Sequence, residues 1–374
     1  MKKFFSISGI LAGLLSSYNA FADYNLNLPS GVTPISKEIY DLHMTILYIC
    51  AGIGVLVFSV MLYAIICHRK SRGHKAAKFH ESTTVEIIWT IIPFIILVAM
   101  AIPASKTLIR MEDTKEADLT IKITGYQWKW HYDYLSEDIK FFSNLSTPQD
   151  EIYNRAPKGQ YYLLEVDKPL VVPVGKKIRF LTTANDVIHS WWVPQFGLKK
   201  DAIPGFIRES WAYIEKPGVY RGQCAELCGA LHGFMPIVVH AVTEEEYQSW
   251  IEKTKAEQEA EYASYGKKWS QDELMVQGEK IYKAVCAMCH MENGKGMPPA
   301  FPSLVKSPII MGDIKHHIDI VLHGKKGTAM QAFAEQLSDT DLAAVITYER
   351  NAWGNDKGEI LQPSEIRDIK ANQN

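Results

Sequence analysis

The chain has 374 residues, of which 47% are hydrophobic and 22% charged, with a formal net charge of −2. That length exceeds one ordinary domain, and the balance excludes collagen-like, disordered, supercharged and disulfide-dense classes. A mean hydropathy of −0.09 looks soluble, but such an average can conceal a chain divided into unlike parts. Cys50 and Cys67 stand apart, whereas Cys224/Cys228 and Cys286/Cys289 form two close pairs, so spacing matters more than number.

In chain order, Lys2 and Lys3 precede an apolar stretch through Leu15, and Ala20-Phe21-Ala22 has the small-x-small pattern of a cleavage site. Residues 1–22 are therefore predicted to be an export signal, cut after Ala22. No residue carries a formal charge from Met44 to Cys67 or from Ile87 to Ser105. Each run can cross a hydrocarbon core of about 30 Å as a helix, so residues 23–117 are read as an N-terminal segment and transmembrane hairpin. The connector 68–80 holds Arg69, Lys70, Arg72, Lys75 and Lys78 and no acid. The positive-inside rule puts it in the cytoplasm and both hairpin ends on the export side. Glu86 lies at the cytoplasmic start of the second span. It reads either as a proton-path group or as a water-facing helix-start carboxylate.

Residues 118–243 read as a β domain, an antiparallel sandwich or barrel. Leu119–Tyr134, Tyr161–Val166, Leu170–Val174, Ile178–Thr182, Glu209–Ile214 and Met235–Val242 are rich in β-branched and aromatic residues, with Pro and Gly between them. Trp128 and Trp130 alternate on one such run, so one of them is a candidate core residue. The domain contains Cys224-x-x-x-Cys228-x-x-x-His232-x-x-Met235, with His189 upstream. Two thiolates, two imidazoles and a thioether form a soft-to-borderline donor set suited to copper rather than magnesium or calcium. Both cysteines can bridge two metals, and the backbone carbonyl of Glu226 can complete the set. A Cys224–Cys228 disulfide and a zinc site are the competing readings.

Residues 244–271 are rich in Glu, Lys and Ala, which predicts an exposed charged helix leading into a linker. Cys286-x-x-Cys289-His290 then has the spacing of covalent c-type haem attachment, with His290 placed to ligate iron. A thioredoxin-like dithiol is the rival, without the βαβ pattern it needs. For the sixth ligand, Met297, Met311 and Met330 compete, with His316, His317 and His323 as bis-His alternatives. The haem domain is assigned to 272–353, with Ser338 at a helix start three residues before Asp341. The tail 354–374 reads as polar and loosely ordered.

The Cys/His/Met run with His189 resembles the dinuclear copper centre of cytochrome c oxidase subunit II. Gly125–Trp130, Asp186–Trp191, Gly197–Gly205 and Val85–Pro93 resemble further stretches of that family, and the likeness covers roughly residues 35–243. Gly327–Phe333 and the helix-like segment from Ser338 to Arg350 resemble the distal loop and final helix of small class I cytochromes c. The resemblance implies a multi-domain fold: a two-helix transmembrane hairpin, an all-β cupredoxin-like Greek-key barrel, then an all-α cytochrome c domain. It implies His189, Cys224, Glu226 through its carbonyl, Cys228, His232 and Met235 as ligands of a dinuclear copper centre. It also implies magnesium on the Glu226 side chain at the border with subunit I, and Cys286, Cys289, His290 and Met330 as haem c residues. Trp128 is implied as the electron-input residue and Glu86 as the entrance of a proton path. The implied function is the electron-input subunit of a haem–copper terminal oxidase in a bacterial inner membrane, with both redox domains on the outer side. A cytochrome c or similar donor would supply electrons, and subunit I, in contact with other oxidase subunits, would reduce O2 to water and pump protons. Membrane lipid is an expected partner and nucleic acid is not. The alternatives are an electron-input subunit of a copper-containing nitric oxide reductase and, from another class, a copper-delivery or assembly protein.

Overall fold

The computed structural model of the chain describes residues 27–73, 75, 80–264 and 266–372; the expected export signal and its cleavage after Ala22 lie outside them. Two long helices, α1 (Pro34–Cys67) and α2 (Thr83–Met111), come first. At the start of α1 the Thr33 hydroxyl accepts the Ser36 N–H at 3.0 Å while Ser36 accepts the Thr33 N–H at 3.0 Å. This reciprocal cap satisfies two otherwise orphaned donors. Both helices outrun their uncharged spans, because polar residues end a hydrocarbon run without ending a helix. In those extensions Glu38 of α1 pairs with Arg110 of α2 and accepts from Thr107 at 3.2 Å. Val55, Phe58, Ile65, Phe94 and Leu97 are all exposed. Helices apolar on every face require lipid or another apolar partner. The chain is membrane-anchored.

The entry to α1 is tied to the β domain. Thr33 donates to the Phe196 carbonyl at 2.9 Å, the Val32 N–H to Gln195 at 3.0 Å and the Glu215 N–H to Val32 at 3.1 Å. That domain has ten strands: β1 (Leu119–Tyr126), β2 (Lys129–Tyr134), β3 (Ile139–Ser143), β4 (Leu170–Pro173), β5 (Lys177–Ala184), β6 (His189–Val193), β7 (Leu198–Ala202), β8 (Arg208–Tyr213), β9 (Gly218–Cys224) and β10 (Pro236–Val242). They form two five-stranded sheets, β3-β2-β1-β5-β8 and β4-β10-β9-β6-β7. Ile121, Ile123, Tyr132, Phe180, Trp191 and Val239 are fully buried in its core.

The pairing departs from a purely antiparallel expectation, since β1/β5 and β4/β10 run parallel. The run Leu119–Tyr134 splits into a hairpin turned at Gln127 and Trp128, with Tyr126 paired to Lys129. Tyr161–Val166 is not a strand. It forms turns joined by one bridge, Leu145 to Val166, and Tyr161 lies exposed under the Arg221 guanidinium. Its aromatic residues serve surface contacts rather than a sheet.

Helix α3 (Glu244–Ser264) follows, its first turn closed by reciprocal Thr243 and Glu246 hydrogen bonds. The expectation of a wholly exposed helix needs correction. Tyr247 and Ile251 are buried, and Trp250 packs on Tyr134 at 5.1 Å between ring centroids. The longer helices that follow are α4 (Gln271–Ile281), α5 (Ile314–His323), α6 (Asp339–Asn351) and α7 (Pro363–Ala371). Ser338 caps α6 by accepting the Asp341 N–H at 3.0 Å, and α4 crosses α6 at Gly278. A Cβ there would meet the Ala344 carbonyl oxygen at 2.2 Å, so only glycine permits this crossing. The tail is not loose: Leu361 and Ile366 of the α7 region are buried in the helical core. Two apolar anchors suffice to order a polar segment.

Candidate copper and haem sites

The first site forms where β6 and β9 are neighbours. Trp191 pairs with Cys224, and Pro236 at the start of β10 pairs with Gln223. The loop from Cys224 to Met235 therefore folds over the end of the sheet beside His189, and strand pairing supplies the distant imidazole. Cys224 Sγ lies 3.9 Å from Cys228 Sγ, 3.9 Å from His189 Nδ1 and 3.4 Å from the Glu226 carbonyl. Cys228 Sγ lies 3.5 Å from both His232 Nδ1 and Met235 Sδ. His189, Cys224, Cys228 and Met235 are buried. The two thiols are free, against the disulfide reading.

The electrostatics suit a cation. The hydrogen bond between the two sulfurs, against burial, brings the Cys224 thiol below its ordinary value. The same hydrogen bond, with burial, pushes Cys228 up. Cys224 is thus the readier of the two to ionise, and a bound cation would displace the remaining proton. His189 Nε2 donates to Asp186 at 2.8 Å, which turns Nδ1 towards the sulfurs. Burial opposes charge on this imidazole, but Asp186 and Cys224 hold it above the ordinary histidine value. Burial likewise opposes the Asp186 carboxylate. Hydrogen bonds from His189 and from the Gln127 and Val187 N–H groups nevertheless keep it below the usual range. Such a carboxylate fixes ring orientation and raises ligand basicity. Asp186 was not singled out by sequence reasoning, although an acid three residues before a candidate ligand was a usable signal.

Trp128 and Gln127 reach this site from the β1–β2 turn. Trp128 Nε1 donates to the Cys228 carbonyl at 3.1 Å and Gln127 Nε2 to the same oxygen at 2.8 Å. Trp130 is the core member of the pair, fully buried, with Nε1 donating to the Met235 carbonyl at 3.2 Å. Gly229, at φ +116°, leaves room for this approach: a Cβ would stand 3.0 Å from the Trp128 ring.

The second site is a cavity of about 420 Å³ walled by Cys286, Cys289, His290, Met330, Phe301 and Val345 among others. His290 Nδ1 donates to the Pro302 carbonyl at 2.9 Å, leaving Nε2 for iron. Burial pushes the Cys286 thiol up and the Cys289 thiol up to about 11. Unlike the first pair, these are protonated thiols, poor metal ligands but available for thioether formation. Met330 lines the cavity, as does His317, whose Nε2 is engaged by Glu349 at 2.9 Å. His323 pairs with Asp319 at the surface instead, and Met297 lies in an exposed loop. Glu86 sits in the first turn of α2, its carboxylate accepting the Ser82 N–H at 3.3 Å, as a helix-start residue would.

Three family models match the chain. They describe the cytochrome c oxidase subunit II transmembrane domain over residues 22–107, its periplasmic domain over 119–242, and cbb3-type cytochrome c oxidase subunit III over 273–348. The probable cytochrome c oxidase subunit 2 of Rickettsia felis is 40% identical over 254 residues, covering 67% of this chain and 79% of the relative. Cytochrome c oxidase subunit 2 of Cereibacter sphaeroides is 39% identical, covering 60% and 78%. A solved periplasmic domain of subunit II of cytochrome oxidase from Bradyrhizobium japonicum is 45% identical, covering 38% of this chain and 98% of that one, with a TM-score of 0.35. Copper and haem thus fit the two donor sets by chemistry as well as by kinship. The chain belongs to the cytochrome c oxidase subunit 2 family and carries a cytochrome c domain on its C-terminal side.

Proposed function

We propose that the chain is the electron-input subunit of a haem–copper terminal oxidase. A cytochrome c or similar donor supplies electrons, which reach oxidase subunit I by way of haem c and dinuclear copper. In subunit I, O2 is reduced to water with proton pumping. The observation that carries this reading is the pair of unbridged buried thiols ringed by His189, His232 and Met235, in one chain with a cavity bearing Cys286, Cys289 and His290.

His189, Cys224, Cys228, His232, Met235 and the Glu226 carbonyl would hold the copper pair. The Glu226 side chain would hold magnesium at the subunit I border. Cys286 and Cys289 would carry haem c between His290 and Met330. Bound there, each centre would accept and release one electron. The chain's own residues keep that change cheap in geometry: Asp186 locks the His189 ring, the Pro302 carbonyl locks His290, and burial excludes water from the thiols. Trp128 is assigned as the electron-input residue and Glu86 as the proton-path entrance. The setting is a bacterial inner membrane, with α1 and α2 in lipid and both redox domains on the outer side; the basic connector supports that orientation.

The test is the optical and EPR spectrum of the purified complex together with O2 consumption from reduced cytochrome c. The near-infrared band of mixed-valence copper and a haem c α-band are expected, and Cys224→Ser should abolish the first and the oxidase activity. Intact activity in that variant would sink the reading, and consumption of NO without O2 would reassign the complex.

A further inference from the structure

The cavity that would hold haem c is not closed by its own domain alone. Gln127, Trp128 and Lys129 of the β1–β2 turn form part of its wall, together with Cys286, Cys289 and Met330. Two contacts join the domains at this wall. Gln331, next to Met330, donates its amide to the Gln127 carbonyl. The Lys129 ammonium lies over the Phe333 ring at 4.7 Å and the Phe142 ring at 5.2 Å, so it touches one aromatic face from each domain. Further out, Arg155 pairs with Glu292 at 3.1 Å and Tyr153 donates to the Met291 sulfur at 3.2 Å.

Lys129 is the anomaly in this wall. Lysine is almost never fully buried unless compensated, yet Lys129 is 7% exposed, with its ammonium between two half-buried aromatic rings. A packing role alone would be met better by an apolar side chain. Burial lowers its ammonium below the ordinary lysine value, while Asp186 and Asp167 favour the charge. Cation–π contact offsets part of the burial cost, and what remains is a fixed positive charge between the two centres.

Resting on the functional reading above, we propose that Lys129 is a positioning residue for electron exchange between haem and copper. Its ammonium seats Phe333, and with it the Met330 loop, against the Trp128 turn and places a positive charge at the copper-facing wall of the haem cavity. A cation there favours the reduced haem, which carries one positive charge fewer.

The test uses the full-length chain in detergent, loaded with copper and haem. Haem and copper midpoint potentials are measured by spectroelectrochemistry, and haem-to-copper transfer is followed after photoreduction. Lys129→Met and Lys129→Gln should each lower the reduced-to-oxidised haem ratio at fixed electrode potential by roughly tenfold, and should slow the transfer despite the larger driving force, because Phe333 and the Met330 loop lose their seat. Lys129→Arg should restore the ratio. A haem potential unchanged in both neutral variants would overturn the proposal while leaving the functional reading intact. A wild-type chain with neither the haem α-band nor the near-infrared copper band would overturn both.

Discussion

The Asp186 carboxylate touches no candidate metal position, yet it determines which nitrogen of His189 faces the thiols. Asp186→Asn keeps the size but not the charge, and copper affinity should fall about 10- to 100-fold, measured by competition with a chromogenic chelator. His131 offers a pH-dependent prediction away from the metals. It packs on Phe142 at 4.6 Å, and burial lowers it to about 4, with Asp133 opposing and Lys122 and Lys140 assisting. Between pH 6.5 and 4 the unfolded chain binds the proton and the folded chain does not, so stability falls as pH drops through that window. His131→Phe should flatten this slope in thermal unfolding followed from pH 4 to 7. The candidate metal-binding residues stood out in the sequence because Cys224 to Met235 and Cys286 to His290 are contiguous and chemically unusual. Lys129 did not, since it owes its role to Phe333, far along the chain; Asp186, three residues before His189, left a signal that was usable but unread.

Legibility falls off differently among the elements. The spans of α1 and α2 were readable from uncharged runs, and the start of α6 from Ser338 and Asp341. Strand β9 was hidden because Gly218 and Gly222 lower its β character. Gly222 is nonetheless required, since a Cβ would meet the Trp192 carbonyl oxygen at 2.0 Å. The same logic applies at the α4–α6 crossing, where the obstructing atom is backbone and cannot swing away. Gly278→Ala should therefore cost about 1–3 kcal/mol through overpacking, outweighing the roughly 1 kcal/mol of helix propensity it gains. Denaturant unfolding followed at the haem band would measure it. If stability rose instead, the close crossing would be refuted. The buried face of α3 and the order of α7 escaped the sequence because one or two apolar residues in a polar segment carry no periodic signal.

At the scale of the molecule, the near-neutral composition is the sum of two lipid-facing helices and two polar redox domains. Their order, anchor then copper then haem, could be read from motif positions. What sequence could not reveal is that the last domain turns back onto the β1–β2 turn of the second, because that contact rests on single residues such as Gln331 and Lys129. Helix α3 gives this return a quantitative meaning. Its 21 residues span about 30 Å, and its first turns are fastened to the β domain through Tyr247 and Ile251. A module leashed in this way meets its docking surface at an effective concentration on the order of millimolar. An interface of roughly −4 kcal/mol, far too weak to join two free proteins at cellular levels, then suffices to keep the haem domain seated about half the time. The leash thus replaces affinity with local abundance.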